Sequence, residues 1–260
     1  MRDIIQRYTG AAEWLSFFAV VLAAWAALFF MQPSLSDAEA LRLYGGEFWA
    51  ALCAPLTAAT PFSTLFAMWA LMSAAMMAPT FVPTLKTYRD LTHTEAANSR
   101  TFLALNAAYL AVWLGFAAIA ALAQQLLAGA GMLSTTGASV NWGLTALLLA
   151  GAGAYQFSTI KDACLSQCRA PLMFFMQHWT PGVAGALRMG LRLGAVCVGC
   201  CWALMSLGFV GGVMNLGWMG VATLLMTLEK LPEIGRLVTR PLGIILLAGA
   251  VFSALQATGI

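Results

Sequence analysis

Long apolar runs alternate with short polar segments along most of the 260-residue chain. A helix that crosses a bilayer needs roughly 20 apolar residues, and the chain offers seven candidate runs. They are Trp14–Met31, Pro61–Pro79, Phe102–Leu127, Val140–Phe157, Leu193–Val213, Leu216–Leu228 and Leu242–Leu255. The last two are short. The pattern predicts an all-α, polytopic membrane helix bundle with about seven transmembrane helices, in one domain that covers residues 1–260.

Composition supports a membrane protein. Hydrophobic residues make up 61% of the chain and charged residues 9%, and the mean hydropathy is +0.83. Soluble proteins carry about 25% charged residues, so the lipid bilayer is the expected environment. The net charge of +3 is too small to predict nucleic-acid binding. The chain has no nucleotide-binding glycine loop, zinc-protease motif or serine nucleophile motif, so we expect that it is not an enzyme.

The loops between the predicted spans alternate between basic and non-basic. Lysine and arginine collect on the cytoplasmic side of membrane proteins. The N-terminus and the segment of about 158–192 are basic, whereas the segment of about 32–60 holds one arginine and three acidic residues. The alternation predicts a cytoplasmic N-terminus, an outside loop at about 32–60, an inner loop at about 158–192 and a C-terminus outside.

Five of the six cysteines fall in two tight groups. Cys197, Cys200 and Cys201 lie in the predicted fifth span, and Cys164 and Cys168 follow the predicted fourth span. Residues four apart share one face of a helix, so each group can present its thiols together. The predicted topology puts both groups in the inner half of the membrane or at its cytoplasmic surface, where reducing conditions keep thiols free.

Methionines extend these groups. Met205 continues the spacing of the fifth-span cysteines by one turn, and Met72 and Met76 share a face of the second span, with Met77 beside them. Thiolate and thioether sulfurs select Cu(I), although four thiolates would also suit zinc. The sequence therefore predicts a soft-metal site, for copper(I) first and zinc second. Its candidate ligands are Cys164, Cys168, Cys197, Cys200, Cys201, Met72, Met76, Met77 and Met205.

Such a site would serve metal transport, delivery or homeostasis, with a metallochaperone or a metalloenzyme assembly protein as partner. Two other functions fit the same residues. In a membrane thiol oxidoreductase, the adjacent Cys200 and Cys201 and the pair Cys164/Cys168 could exchange electrons with a quinone or a partner thiol. A cation such as Lys161 or Arg169 would favour a thiolate there. The sulfur residues could also only pack, in a structural or partner-binding subunit.

Four further residues carry weaker signals. Cys53 stands alone in the outside loop and is expected to be a small packing residue. His178 is a candidate auxiliary ligand in the inner loop. Glu229 and Lys230 close the sixth predicted span, and ionisable residues there either pair with a neighbour or reach the interface.

The sulfur-bearing segments resemble a bacterial family of predicted metal-binding integral membrane proteins, which share a domain of unknown function. The resemblance rests on Met72–Pro79, Tyr155–Leu172 and Gly194–Met205, and extends to Gly212–Asn215 and Glu229–Lys230. It implies a multi-pass protein of the bacterial inner membrane whose cysteine blocks act together in metal binding.

Overall fold

Helices account for nearly all of the chain that the structure describes. The computed structural model describes residues 2–30, 59–91, 99–213 and 215–259, and within these ranges it contains ten helices and an isolated β-bridge between Leu133 and Ser139. The helices are α1 (Arg2–Phe30), α2 (Phe62–Asp90), α3 (Ser99–Gly129), α4 (Trp142–Tyr155), α5 (Thr159–Arg169), α6 (Pro171–His178), α7 (Gly182–Ser206), α8 (Gly208–Gly211), α9 (Leu216–Lys230) and α10 (Gly235–Thr258). Cys53 and almost all of the predicted outside loop lie outside the described residues.

Four helical segments are long and apolar enough to cross a membrane, by length and composition. They are α2, α3, the continuous stretch Gly182–Gly211 formed by α7 and α8, and α10. Two shorter apolar helices, Trp14–Phe29 within α1 and Trp142–Tyr155, also coincide with predicted spans, as does the 15-residue α9. The described residues therefore confirm the all-α prediction and have the character of a membrane protein.

The predicted inner loop is helical over most of its length. It contains α5, α6 and the beginning of α7, which starts at Gly182 rather than at Leu193. The Ser158 side chain caps α5 by accepting from the Lys161 amide, and Pro171 starts α6 at a position where a missing N–H costs nothing. A hydropathy window misses such helices because α5 is polar on its outer face. Because α7 starts earlier than the predicted span, Cys197 lies near the middle of a long helix rather than close to its start.

Helix α7 lies at the centre of the bundle, where α3, α5 and α4 pack against it. Gly190 allows the close approach to α3, because a Cβ at this position would collide with the carbonyl oxygen of Leu105. Helices α4 and α10 form a second packed pair beside it. The buried core therefore follows α7, and the three cysteines of α7 lie inside this core.

Candidate metal centre

The three cysteines of α7 form one compact group of thiols. Cys197, Cys200 and Cys201 occupy positions i, i+3 and i+4, and their sulfurs all lie within 4.8 Å of one another. The Cys200 and Cys201 sulfurs are 3.2 Å apart. The side chains are 4%, 0% and 1% exposed, respectively. Three soft donor atoms therefore converge in the buried core, which is an arrangement that suits a soft-metal ion.

A fourth thiol reaches this group from α5. The Cys168 sulfur lies 3.9 Å from the Cys200 sulfur. Cys164 lies one turn earlier, beside Gly199, where an added Cβ would stand 2.7 Å from the Cys164 sulfur. Both α5 cysteines are half-buried, and burial raises the pKa of the Cys164 thiol. The structure therefore brings together the two cysteine groups that the sequence keeps about thirty residues apart.

Polar contacts fix α5 in this position. The Tyr155 hydroxyl donates to the Gly199 carbonyl oxygen at 2.6 Å. Lys161 Nζ forms an ion pair with Glu229 Oε2 at 2.8 Å, and both side chains are 1% exposed. Arg169 Nε donates to the Glu229 carbonyl oxygen, also at 2.8 Å. Because a buried ion pair is costly to break on one side only, the pair fixes α5 against α9, and α5 also packs directly on α7.

A cation and one hydroxyl group contact the Cys197 thiol. Lys230 Nζ lies 3.1 Å from the Cys197 sulfur and donates to Thr80 Oγ1 at 2.7 Å. The Tyr109 hydroxyl lies 3.1 Å from the same sulfur, and its ring stacks on Phe81 with centroids 3.8 Å apart. Ammonium and hydroxyl donors stabilise thiolate sulfur. Cys197 is therefore surrounded by groups that favour its anionic, metal-binding form.

Sequence reasoning missed Tyr109 and Thr80 as neighbours of the site. Neither residue stands out in an apolar helix, because Tyr and Thr occur there as ordinary packing residues. Lys230 gave a usable signal as an ionisable residue at the end of a predicted span, but nothing in the sequence paired it with Cys197.

The candidate methionines lie along α2 and α7, on the core side. Met72, Met76, Met77 and Met205 are all 2% exposed or less. Lys230 contacts both Thr80 on α2 and Cys197 on α7. The Met72 methyl group instead lies near Gly208, at the start of α8. Thr80 and Met72 are about 12 Å apart along α2. Met72 therefore lies at a different level of α2 from the contact between Lys230 and Cys197, and all four methionines are buried in the core.

His178 is not part of this group. Its Nδ1 lies 3.0 Å from the Phe174 carbonyl oxygen, and its ring packs on the Phe174 ring with centroids 4.8 Å apart. Both contacts are made within α6. Glu229 likewise pairs with Lys161 rather than with a sulfur residue, so of the three weaker candidates that the structure describes, Lys230 is the one at the thiols.

Comparison with known proteins gives this cluster a context. Residues 66–253 match the model of a family that is described as PpoB2, copper chaperone. The match covers more than half of the chain. The protein belongs to the PpoB2 copper chaperone family. No curated protein and no solved structure matches the chain.

Family membership confirms the resemblance to metal-binding membrane proteins. All nine candidate ligands lie within the matched residues. A copper chaperone family and a cluster of three cysteines together indicate a copper-related role for this PpoB2 family member. The donor chemistry agrees, because thiols and thioethers are the side chains that suit Cu(I).

Proposed function

We propose that this protein binds Cu(I) as its cargo through the clustered thiols and delivers it to a partner protein. The observation that carries this proposal is the convergence of thiols from two helices, with the Cys168 sulfur 3.9 Å from Cys200 and three α7 sulfurs within 4.8 Å. Membership in a copper chaperone family supports the choice of metal. Release to a partner requires exchangeable ligands, and Cu(I) accepts two or three sulfurs, so it can pass between them stepwise.

The thiols divide into two sets. Cys197, Cys200 and Cys201 would hold the ion in the buried centre of the bundle, and Cys164 and Cys168 on α5 would be the more accessible ligands through which the ion enters or leaves. Coordination needs deprotonated thiols, so loading releases protons. The auxiliary ligands would be the four buried thioethers, Met72, Met76, Met77 and Met205.

Lys230 would balance part of the charge of the loaded site. Cu(I) bound by three thiolates carries a net charge of −2, which is costly in a buried pocket. The ammonium group of Lys230 lies 3.1 Å from the Cys197 sulfur and can offset one of these charges. Zinc with four thiolates would carry the same net charge, so the metal preference rests on the sulfur-rich donor set and the family.

In its proposed setting the chain is one integral domain of the bacterial inner membrane, residues 1–260. Seven spans would place the N-terminus in the cytoplasm and the C-terminus outside, with α5 and α6 at the cytoplasmic surface. The alternation of basic and non-basic segments supports this orientation. The partners would be a metallochaperone that supplies copper or a metalloenzyme assembly protein that receives it, and the chain itself would transfer the ion without catalysing a reaction.

Metal stoichiometry tests the proposal directly. The full-length protein in detergent would be loaded anaerobically with Cu(I), and separately with Zn(II), against a competing chelator. We expect the parent to retain about one Cu(I) per chain and the triple variant Cys197→Ser/Cys200→Ser/Cys201→Ser to retain none, because thiolate ligands dominate Cu(I) affinity.

The variant Cys53→Ser is the matched control, since it removes one thiol outside the proposed site and should retain copper. Preference for zinc would contradict the proposed cargo. Equal copper retention by the parent and the folded triple variant would contradict the proposed site.

The same geometry favours one second candidate, a dithiol–disulfide couple between Cys168 and Cys200, whose sulfurs are 3.9 Å apart. The Cys200 and Cys201 sulfurs are closer, at 3.2 Å, but the Cα atoms of adjacent residues are only about 3.8 Å apart, which is shorter than a disulfide normally spans. A reversible, metal-independent disulfide between Cys168 and Cys200, mapped by mass spectrometry, would support this candidate over copper binding.

A further inference from the structure

The five clustered thiols differ in their access to the surroundings. The three α7 cysteines are between 0% and 4% exposed, whereas Cys164 and Cys168 on α5 are half-buried. The outer face of α5 carries exposed Asp162 and Ser166, so it faces water or headgroups rather than lipid tails. An ion that arrives from the aqueous side therefore meets the α5 thiols before it reaches the buried thiols.

The sulfurs also form a sequence of short steps. Cys168 lies 3.9 Å from Cys200, Cys200 lies 3.2 Å from Cys201, and Cys197 lies within 4.8 Å of both. A Cu(I)–sulfur bond is a little over 2 Å long, so one ion can contact two sulfurs at these separations at the same time. Each transfer can thus form a new bond before the old bond breaks.

We propose that Cys168 is the acceptor thiol that takes Cu(I) from a carrier and passes it to Cys200, an assignment that rests on the proposed function. The Cys168 thiol loses its proton as its sulfur–copper bond forms. The carrier thiolate takes up a proton as its own bond to copper breaks. Copper stays Cu(I) throughout, so the exchange needs no oxidant or reductant. The second exchange, from Cys168 to Cys200, balances in the same way.

The charge near Cys168 indicates the chemistry of the carrier. Arg169 follows Cys168 directly in the sequence and lines a surface cleft together with the exposed Arg236. Asp162 is the one acidic residue that lines this cleft. This excess of positive charge attracts anions. The exposed guanidinium of Arg236 can bind a carboxylate in a two-pronged geometry, whereas Arg169, whose Nε already donates to the Glu229 carbonyl oxygen, adds positive charge. The carrier that fits is a small thiol that bears carboxylates and holds Cu(I) through its sulfur.

Loading kinetics test this assignment. The full-length protein in detergent would be mixed anaerobically with the Cu(I) complex of glutathione, and loading would be followed by the ultraviolet thiolate-to-copper absorption. We expect Cys168→Ser to load at least about tenfold more slowly than the parent, because it loses the thiol that positions the incoming ion. It should still reach the parental stoichiometry, since the three α7 thiols remain. The matched control Ser166→Ala, on the same helix, should load at the parental rate.

Three results would overturn the proposal. They are a parental loading rate for Cys168→Ser, an equal slowing by Cys164→Ser, and a complete loss of copper from a folded Cys168→Ser variant at equilibrium. The last result would make Cys168 a resident ligand. A parent that binds no copper would instead contradict the proposed function, so the two failures are distinguishable.

Alkylation of the unmodified chain keeps the proposal testable without a variant. A maleimide that does not cross membranes should label Cys168 before Cys197, Cys200 and Cys201, and bound copper should protect Cys168 less than the buried thiols. Labelling of the α7 cysteines first would contradict the proposed order of transfer.

Discussion

Two lysines lie at the C-terminal end of α9, the buried Lys161 of α5 and the half-buried Lys230 of α9 itself, and their partners differ. Lys161 pairs with the carboxylate of Glu229 at 2.8 Å, and both side chains are almost completely buried. Lys230, the next residue along the chain from Glu229, contacts the thiol of Cys197 and the hydroxyl of Thr80. Within the described residues, no carboxylate neutralises Lys230. One lysine completes a structural ion pair, and the other leaves its charge available to the thiols.

The difference separates the part that positions the site from the part that binds. The Lys161–Glu229 pair is already neutral, so it gains nothing when a metal arrives, and its effect is to hold α5 against α9. Lys230 gains a partner when Cys197 becomes a thiolate. Substitution of the first lysine should therefore affect mainly folding, and substitution of the second should affect mainly metal affinity.

Removal of Lys161 should have the largest effect on stability. Lys161→Met leaves the Glu229 carboxylate buried without its cation, at a cost of about 3 to 5 kcal/mol. Thermal unfolding monitored by circular dichroism measures this loss. The double variant Lys161→Met/Glu229→Leu removes both charges and should recover much of the stability. A single variant as stable as the parent, or a double variant no better than the single, would contradict a structural role for the pair.

The sequence predicted the helical membrane character and the two thiol groups, because apolar run length and i, i+4 spacing are local properties. It did not predict how the groups meet. The contact between Cys168 and Cys200 joins residues 32 apart, and the Lys161–Glu229 pair that holds α5 against α9 joins residues 68 apart. The contact also requires that Thr159–Arg169 form a helix. The sequence predicted a loop there, because the segment is amphipathic rather than apolar throughout. Tyr109 contacts Cys197, and Thr80 contacts Lys230, through tertiary packing alone, so the local spacing of residues could not predict either contact.

Lys230 should change metal affinity more than stability. Lys230→Met removes a charged contact worth about 1.5 to 3 kcal/mol, so Cu(I) affinity should fall by about one to two orders of magnitude. Lys230→Arg keeps the charge and should recover part of this loss. Competition with a colorimetric Cu(I) chelator measures affinity, and thermal unfolding of the copper-free protein provides the structural control. Parental affinity in Lys230→Met would show that the contact with Cys197 does not serve metal binding.

Methionine substitutions should have the smallest effects on stability and Cu(I) affinity, and they would show whether the thioethers belong to the metal site. Met76→Leu and Met205→Leu conserve side-chain volume, so each should cost less than about 1.5 kcal/mol of stability. Each also removes a buried thioether of the candidate ligand set, so Cu(I) affinity should fall several-fold with little change in unfolding temperature. Met189→Leu is the matched control, because Met189 is buried on α7 two turns before Cys197 and outside the candidate ligands. Equal affinities for all three variants would assign the methionines to packing alone and confine the proposed ligands to the five cysteines.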